Sequence, residues 1–279
     1  LNEIRQTSSS SASCNLAAGA AITWQAENFP QVAASLDDDG TGFFSVIEAW
    51  SQGSEWLEDC LRYQNHFAVG MDERTRGAHL IAFYCHHLSI AAGAVYLTTG
   101  LVPDLDPQRL AVRFENHDSA ASSFQPAIKR LHFMFGRFLP EGSAQSFHDA
   151  FVASLTPVVE ALQARTGLSA AAQWRLAADG ITGAFLEIGL AGGEEAGAMA
   201  SALDIVKIPG SPLLSSELHY ERIETTRDGI PVEQVFRLRS GCCLYYRTDG
   251  GDFCDVCVLL EPDVQRNRLR DRLMRSGGS

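Results

Sequence analysis

Apolar positions recur at helical spacing over most of the chain. Phe43, Ile47, Trp50, Leu57 and the Cys60/Leu61 pair fall on one face and predict an amphipathic helix over about 43–63. From Gly77 to Pro103 there is no Asp, Glu, Lys or Arg, which predicts a second helix reaching about Leu97. That run is long enough to span a bilayer. His79, His86 and His87 within it would be costly in hydrocarbon, so a buried core helix is the expectation. Phe147, Phe151, Leu155, Val158, Val159 and Leu162 mark another helical face, which Pro157 is expected to kink. Residues 168–189 and 193–205 read as two more helices, parted at Ala191-Gly192-Gly193.

Period-two patterns are fewer. Leu110, Val112 and Phe114 alternate with Arg109, Ala111 and Arg113, and Phe236 and Leu238 alternate with Arg237 and Arg239; both predict half-buried strands. Residues 121–139 fit helix and strand equally well. Val264 to Arg275 reads as a short basic helix, and the serine run from Ser8 to Ser13 as a flexible lead-in. Asp37-Asp38-Asp39-Gly40 is a turn signal; as a calcium loop it fails, because Val46 stands where the bidentate Glu is needed. The expected fold is mostly α with a small β-sheet, in the α+β class. Its parts are a partly flexible N-terminal segment over 1–35, a mostly helical substrate-binding body over 36–235, and a cysteine-rich module with a basic tail helix over 236–279.

Composition changes this picture in two places. The chain has 279 residues, enough for one large domain or two, with 46% hydrophobic and 20% charged residues as in an ordinary globular protein. The net charge of −12 argues against a nonspecific nucleic-acid binder, which would be basic. No basic segment followed by an apolar run stands near the start, so no secretory leader is legible.

The seven cysteines are the informative residues. Cys14, Cys60 and Cys85 are scattered, whereas Cys242, Cys243, Cys254 and Cys257 form Cys-Cys-x10-Cys-x2-Cys. Between the pairs, Thr248-Asp249-Gly250-Gly251-Asp252 is a tight-turn sequence that can fold one pair back on the other. Four thiolates suit tetrahedral zinc or an iron–sulfur cluster, and both need a reducing compartment. Cys254-x2-Cys257 is an ordinary zinc half-site. Adjacent Cys242 and Cys243 point in divergent directions and suit the wider two-iron cluster better. Spacing alone leaves both metals open.

The run Arg237-Leu238-Arg239-Ser240-Gly241-Cys242-Cys243-Leu244-Tyr245-Tyr246-Arg247, followed by Cys254-Asp255-Val256-Cys257, resembles the C-terminal signature of FhuF-type siderophore-iron reductases over about 236–258. The resemblance implies a [2Fe–2S] cluster on Cys242, Cys243, Cys254 and Cys257, which would be both its ligands and its electron-transfer residues. It implies one-electron reduction of a ferric, hydroxamate-type siderophore in the cytoplasm, with at most peripheral contact at the inner face of the membrane. No Gly-x-Gly-x-x-Gly follows a predicted strand, so an external donor protein or small-molecule reductant is expected. Candidate substrate residues are Trp174, Arg237, Arg239, Tyr246 and Arg247. Two other readings of the module stand beside this one: a ligand-binding protein with a structural four-cysteine zinc site, and a cluster-based sensor of redox state or iron.

Overall fold

The computed structural model describes residues 2–37, 40–117, 128–139 and 142–275, with side chains from 13 onward. Asp38 and Asp39 of the acidic turn, and residues 121–127 of the ambiguous segment, lie outside them.

The body is built on long helices: α1 (Asn2–Asn28), α4 (Glu73–Thr99), α5 (Ala144–Thr166), α6 (Ala170–Gly192) and α7 (Glu195–Val206). α4 runs through the centre. Leu80, Ile81, Tyr84, Leu88, Ile90, Ala91 and Ala92 are all fully enclosed. This helix is long and apolar enough to cross a membrane, but most of that surface is buried inside the fold. α6 lies against α4 at short range. A Cβ added at Gly180 would stand 2.9 Å from Cys85 Cβ and 3.0 Å from the His86 nitrogen, so only glycine allows this approach. α5 runs through Pro157 as one helix, and Gly193 (φ 73°) ends α6 as the Ala-Gly-Gly signal indicates.

Three expectations need correction. The single helix over 43–63 is divided into β2 (Phe44–Ser45), α2 (Val46–Ala49) and α3 (Glu55–Gln64). Ser45 and Ser54 each cap a new helix, Ser54 by accepting from Leu57 N at 3.1 Å, and Gly53 takes φ 79° between them. Of the predicted face, Trp50, Leu57, Cys60 and Leu61 are buried, whereas Ile47 is left 42% exposed. The serine run Ser8–Ser13 is helical backbone within α1, not a loose lead-in. Serine is only moderately unfavourable in a helix, so the Ala-rich half that follows can propagate through it. A strand also precedes β8 where none was expected, as described below.

A small sheet in the order β1-β5-β4-β2 closes one side of the helices. β1 (Ala33–Ser35) is parallel to β5 (Lys129–Met134), and β4 (Ala111–Asn116) is antiparallel to β5 with Val112 opposite Phe133. β3 (Val102–Pro103) and β6 (Phe138–Leu139) pair separately. The last unit is a hairpin, β7 (His219–Arg227) and β8 (Ile230–Leu238), followed by the cysteine segment and α8 (Pro262–Arg275). Asp228 and Gly229 both take positive φ, the conformation a two-residue hairpin turn requires. Ile223, Phe236, Leu238, Leu269 and Leu273 form a satellite core that joins hairpin to α8. The cysteines therefore hang from a unit that begins at β7, upstream of residue 236.

His87 gives the body a pH dependence. Its ring is buried in α4, Nδ1 lies 2.7 Å from the Phe83 carbonyl, and burial with His86 alongside pulls its pKa down to about 3. The folded chain thus holds His87 neutral while the unfolded chain takes up a proton below about 6.5. The contribution is fully present above the unfolded value and is lost as pH falls toward 3, with a slope of at most about 1.4 kcal/mol per pH unit. His87→Gln is expected to flatten the decline of the urea midpoint between pH 6.5 and 4.5. Parallel curves for wild type and variant would exclude this contribution.

Candidate metal centre

Asp179 organises the approach to the cysteines. It sits in α6 at 2% exposure, among buried residues that are mostly apolar. Its carboxylate accepts from Ser240 N at 2.8 Å, Gly241 N at 3.0 Å, the Ser240 hydroxyl at 3.1 Å and Arg239 Nε at 3.2 Å. One buried carboxylate thus fixes the three residues that precede Cys242. Contact is close: a Cβ on Gly241 would stand 2.9 Å from Leu176 N, so the chain passes directly over the α6 backbone.

Arg239 bridges that anchor to the thiols. Its Nη1 lies 4.0 Å from Cys254 Sγ. Burial works against its charge, but Asp179 and then Cys243 and Cys254 outweigh burial and hold the guanidinium above its ordinary value. Beyond Cys243 the chain reverses at Leu244 (φ 61°), whose N–H donates to Cys242 Sγ at 3.4 Å. A 3-10 turn over Tyr245–Arg247 follows. Asp249 N donates to the Val69 carbonyl at 2.9 Å, and Arg247 pairs with Asp72 at 2.7 Å, so the loop before α4 grips the excursion between the cysteine pairs.

α8 holds the second pair. Arg268 donates to the Phe253 carbonyl at 2.7 Å and pairs with Asp252 at 3.2 Å, and Gln265 donates to the Cys257 carbonyl at 3.0 Å. Arg266 pairs with Glu221 at 2.6 Å, and Arg272 lies over the Phe236 ring at 5.9 Å. Three arginines of the basic tail helix therefore face their own fold.

The second cysteine pair interacts with the first. Cys254 donates to Cys243, which holds the Cys243 thiolate down and the Cys254 thiol up; Arg239 favours the thiolate in both. Burial raises Cys242, which also feels Cys257 and Cys243. His79 of α4 faces Cys243 and lowers it further. Each cysteine of the first pair thus interacts with one of the second. Among the described residues, no three His, Cys, Asp or Glu side chains converge as one metal ion demands.

Residues 239–259 match the FhuF 2Fe-2S C-terminal domain. The match runs from Arg239 to Leu259, takes in all four cysteines and identifies the cofactor as a [2Fe–2S] cluster. The donor set fits: all four sulfurs belong to one segment, each cysteine of the first pair interacts with one of the second, and a guanidinium and an amide N–H are aimed at them. Two irons, each held by two thiolates, suit such an arrangement better than a single zinc. No curated protein and no solved structure matches the chain significantly.

Around this FhuF-type segment the residues named from sequence have different fates. Arg239 lies beside the thiols. Arg237 is turned inward: its head is pressed on α6 at Gly183 and donates to the Asp179 carbonyl. Tyr246 is 39% exposed and packs on Phe253 with ring centroids 4.9 Å apart. Arg247 is engaged by Asp72, and Trp174 is half-buried against the main core. His86 pairs with Glu187 at 3.4 Å while His87 turns to its own helix, so the two diverge as neighbours on a helix must. Cys60 and Cys85 are buried in the body, and burial raises both thiols. Asp179, His79, Gln265 and Arg268 were not found from sequence. None had a local signal, since even Asp179 shares its helix with Arg175 and a second acid, Glu187.

Proposed function

We propose that this protein reduces ferric iron held in a siderophore complex by one-electron transfer, so that Fe2+ is released. The observation that carries this reading is the placement of the four cysteines. They lie in one FhuF-type segment at the surface of a helical body, with Cys242, Cys243 and Cys254 half-buried and only Cys257 enclosed. A cluster held there exchanges single electrons with partners that dock outside. The chain's part is to hold the thiolates in register through Asp179, Gln265 and Arg268 and to balance their charge with Arg239.

Reduction changes what the chelate can hold. Siderophore oxygens are hard ligands that bind Fe3+ tightly, and one added electron gives a larger, softer ion that they hold weakly. No acid, base or nucleophile is needed at the iron. In this reading the electron comes from an external donor, and the reducing conditions that free thiolates require favour the cytoplasm.

The test is direct. Protein reduced under anaerobic conditions is mixed with a ferric trihydroxamate, and the oxidised [2Fe–2S] absorption is followed. Reoxidation with stoichiometric Fe2+ is expected; a reduced spectrum that persists would remove the reductase reading. Cys254→Ser is expected to abolish both the absorption and the reaction while the far-ultraviolet circular dichroism of the helices is kept, because the main core lies in other elements.

A further inference from the structure

Exposed apolar and aromatic side chains gather on the face that carries the cysteine segment. Phe67 is 47% exposed, Val69 73%, Tyr245 37% and Tyr246 39%. They come from two stretches of chain far apart in sequence, yet they form one patch. Asp249 N donates to the Val69 carbonyl at 2.9 Å, and the His79 ring meets both Phe67 and Tyr245 with centroids 6.2 Å apart in each case. Apolar groups collected in this way mark a surface that a partner covers. Phenylalanine and tyrosine are among the residues that protein interfaces favour.

The patch adjoins the thiols. The Tyr245 backbone N–H is directed at Cys243, and Phe67 and Cys243 line the same small hollow. A protein that covers the patch is therefore brought against one of the four cysteines.

Charge states which protein fits. Asp249 is exposed, with its carboxylate against Gly70 and beside Val69, and Asp255 stands between Cys254 and Cys257. Among the described residues neither makes an ion pair, whereas Arg247 is engaged by Asp72 and Arg268 by Asp252. A thiolate-bound cluster adds negative charge of its own, and the whole chain carries −12. A partner with a basic rim is attracted to such a surface. An acidic protein is repelled, and a second copy of this chain would set the same carboxylates against one another.

We propose that Phe67, Val69, Tyr245 and Tyr246 form the docking surface for the protein that delivers the electron, and that this donor is a one-electron carrier with a basic rim. The inference rests on the reductase reading, which requires an external donor. In the step, one electron leaves the donor's reduced redox centre and enters the oxidised [2Fe–2S] site, and no covalent bond forms or breaks in either protein.

Cytochrome c, a small basic haem protein, serves as the probe. Its zinc-substituted form, which takes no electron in the dark, is titrated by calorimetry into cluster-loaded full-length protein at low ionic strength. Saturable binding that weakens as salt is added is expected. Val69→Lys and Asp249→Lys are each expected to weaken it about fivefold, and the double variant about tenfold or more, with an unchanged [2Fe–2S] absorption spectrum. Both side chains are exposed, so neither change disturbs the core. Leu16→Lys adds the same charge as Val69→Lys at a remote site, because α1 packs at Val95, about 24 Å along α4 from His79. It is expected to weaken binding by less than about twofold.

Equal weakening by Leu16→Lys, unaltered binding in both patch variants, or tighter binding of an acidic plant-type ferredoxin than of cytochrome c would overturn the proposal. A wild-type dimer in sedimentation that Val69→Lys dissociates would also overturn it, since a second copy would then hold the patch. Reduction of a ferric trihydroxamate reads the parent function separately. If cytochrome c binds as described but the chelate is not reduced, the reductase reading fails and the docking surface stands. If the chelate is reduced and neither patch variant alters cytochrome c binding, the reductase reading stands and the docking surface fails.

Discussion

Asp179→Ala is expected to destabilise the protein by about 3–5 kcal/mol and to leave it unable to retain its cluster. The carboxylate is 2% exposed and is the partner of the Arg239 guanidinium, which is itself only 12% exposed. Removing it leaves a buried charge unpaired, together with the N–H groups of Ser240 and Gly241. The two orphaned amides keep the cost from falling below that range, since water does not readily reach them. The loss falls on the three residues before Cys242, so the first cysteine pair loses its register before the helical body melts. Denaturant titration measures the stability, and iron and acid-labile sulfide per chain measure retention. Asp179→Asn separates charge from shape: it keeps one acceptor oxygen and is expected to retain more cluster than the alanine variant. Equal cluster content in wild type and Asp179→Ala would show that the anchor is dispensable.

Arg239→Gln is expected to lower the midpoint potential of the cluster. A guanidinium 4.0 Å from Cys254 favours the reduced state, which carries one more negative charge. With an effective dielectric near 20, a unit charge at cluster distance is worth about 1–3 kcal/mol, or on the order of 50–130 mV for one electron. Asp179→Asn should move the potential the opposite way by a smaller amount, since Arg239 stands between that carboxylate and the thiols. Redox titration followed by electron paramagnetic resonance reads both shifts. Shifts of the same sign in the two variants would mean that loop distortion, not charge, sets the potential. The double variant closes the cycle and isolates the Asp179–Arg239 coupling.

Much of the body was legible because its signals are local. The uncharged run from Gly77 gives α4 within a few residues of its ends, and Ala-Gly-Gly at 191–193 separates α6 from α7. The Phe236/Leu238 alternation gives the end of β8. β7 was missed although Asp228-Gly229 is a hairpin signal, because burial along it is irregular, with Ile223 its only fully buried position. The short strands β1, β2, β3 and β6 hold two or three residues each and are defined by their partners, which no window of sequence contains.

For the metal centre the division is sharper. The four cysteines lie within one stretch of chain, so their spacing and the FhuF-type residues around them identify cofactor chemistry without a fold. Their surroundings come from far away. Asp179 lies 60 residues before Arg239 and meets it where Gly241 lets the chain pass directly over the α6 backbone at Leu176. His79 and Gln64 come from helices nearer the N-terminus still, and they face Cys243 only because loop and hairpin fold back over them. Conversely, Arg237 resembled a substrate residue until its strand was laid on α6. The sequence alone pointed to the cluster and to four cysteines as its expected ligands, since residues close along the chain carry that information. The tertiary structure decided what balances their charge, what can reach them and which side of the segment is open, since each of those depends on distances between residues that the chain does not keep close.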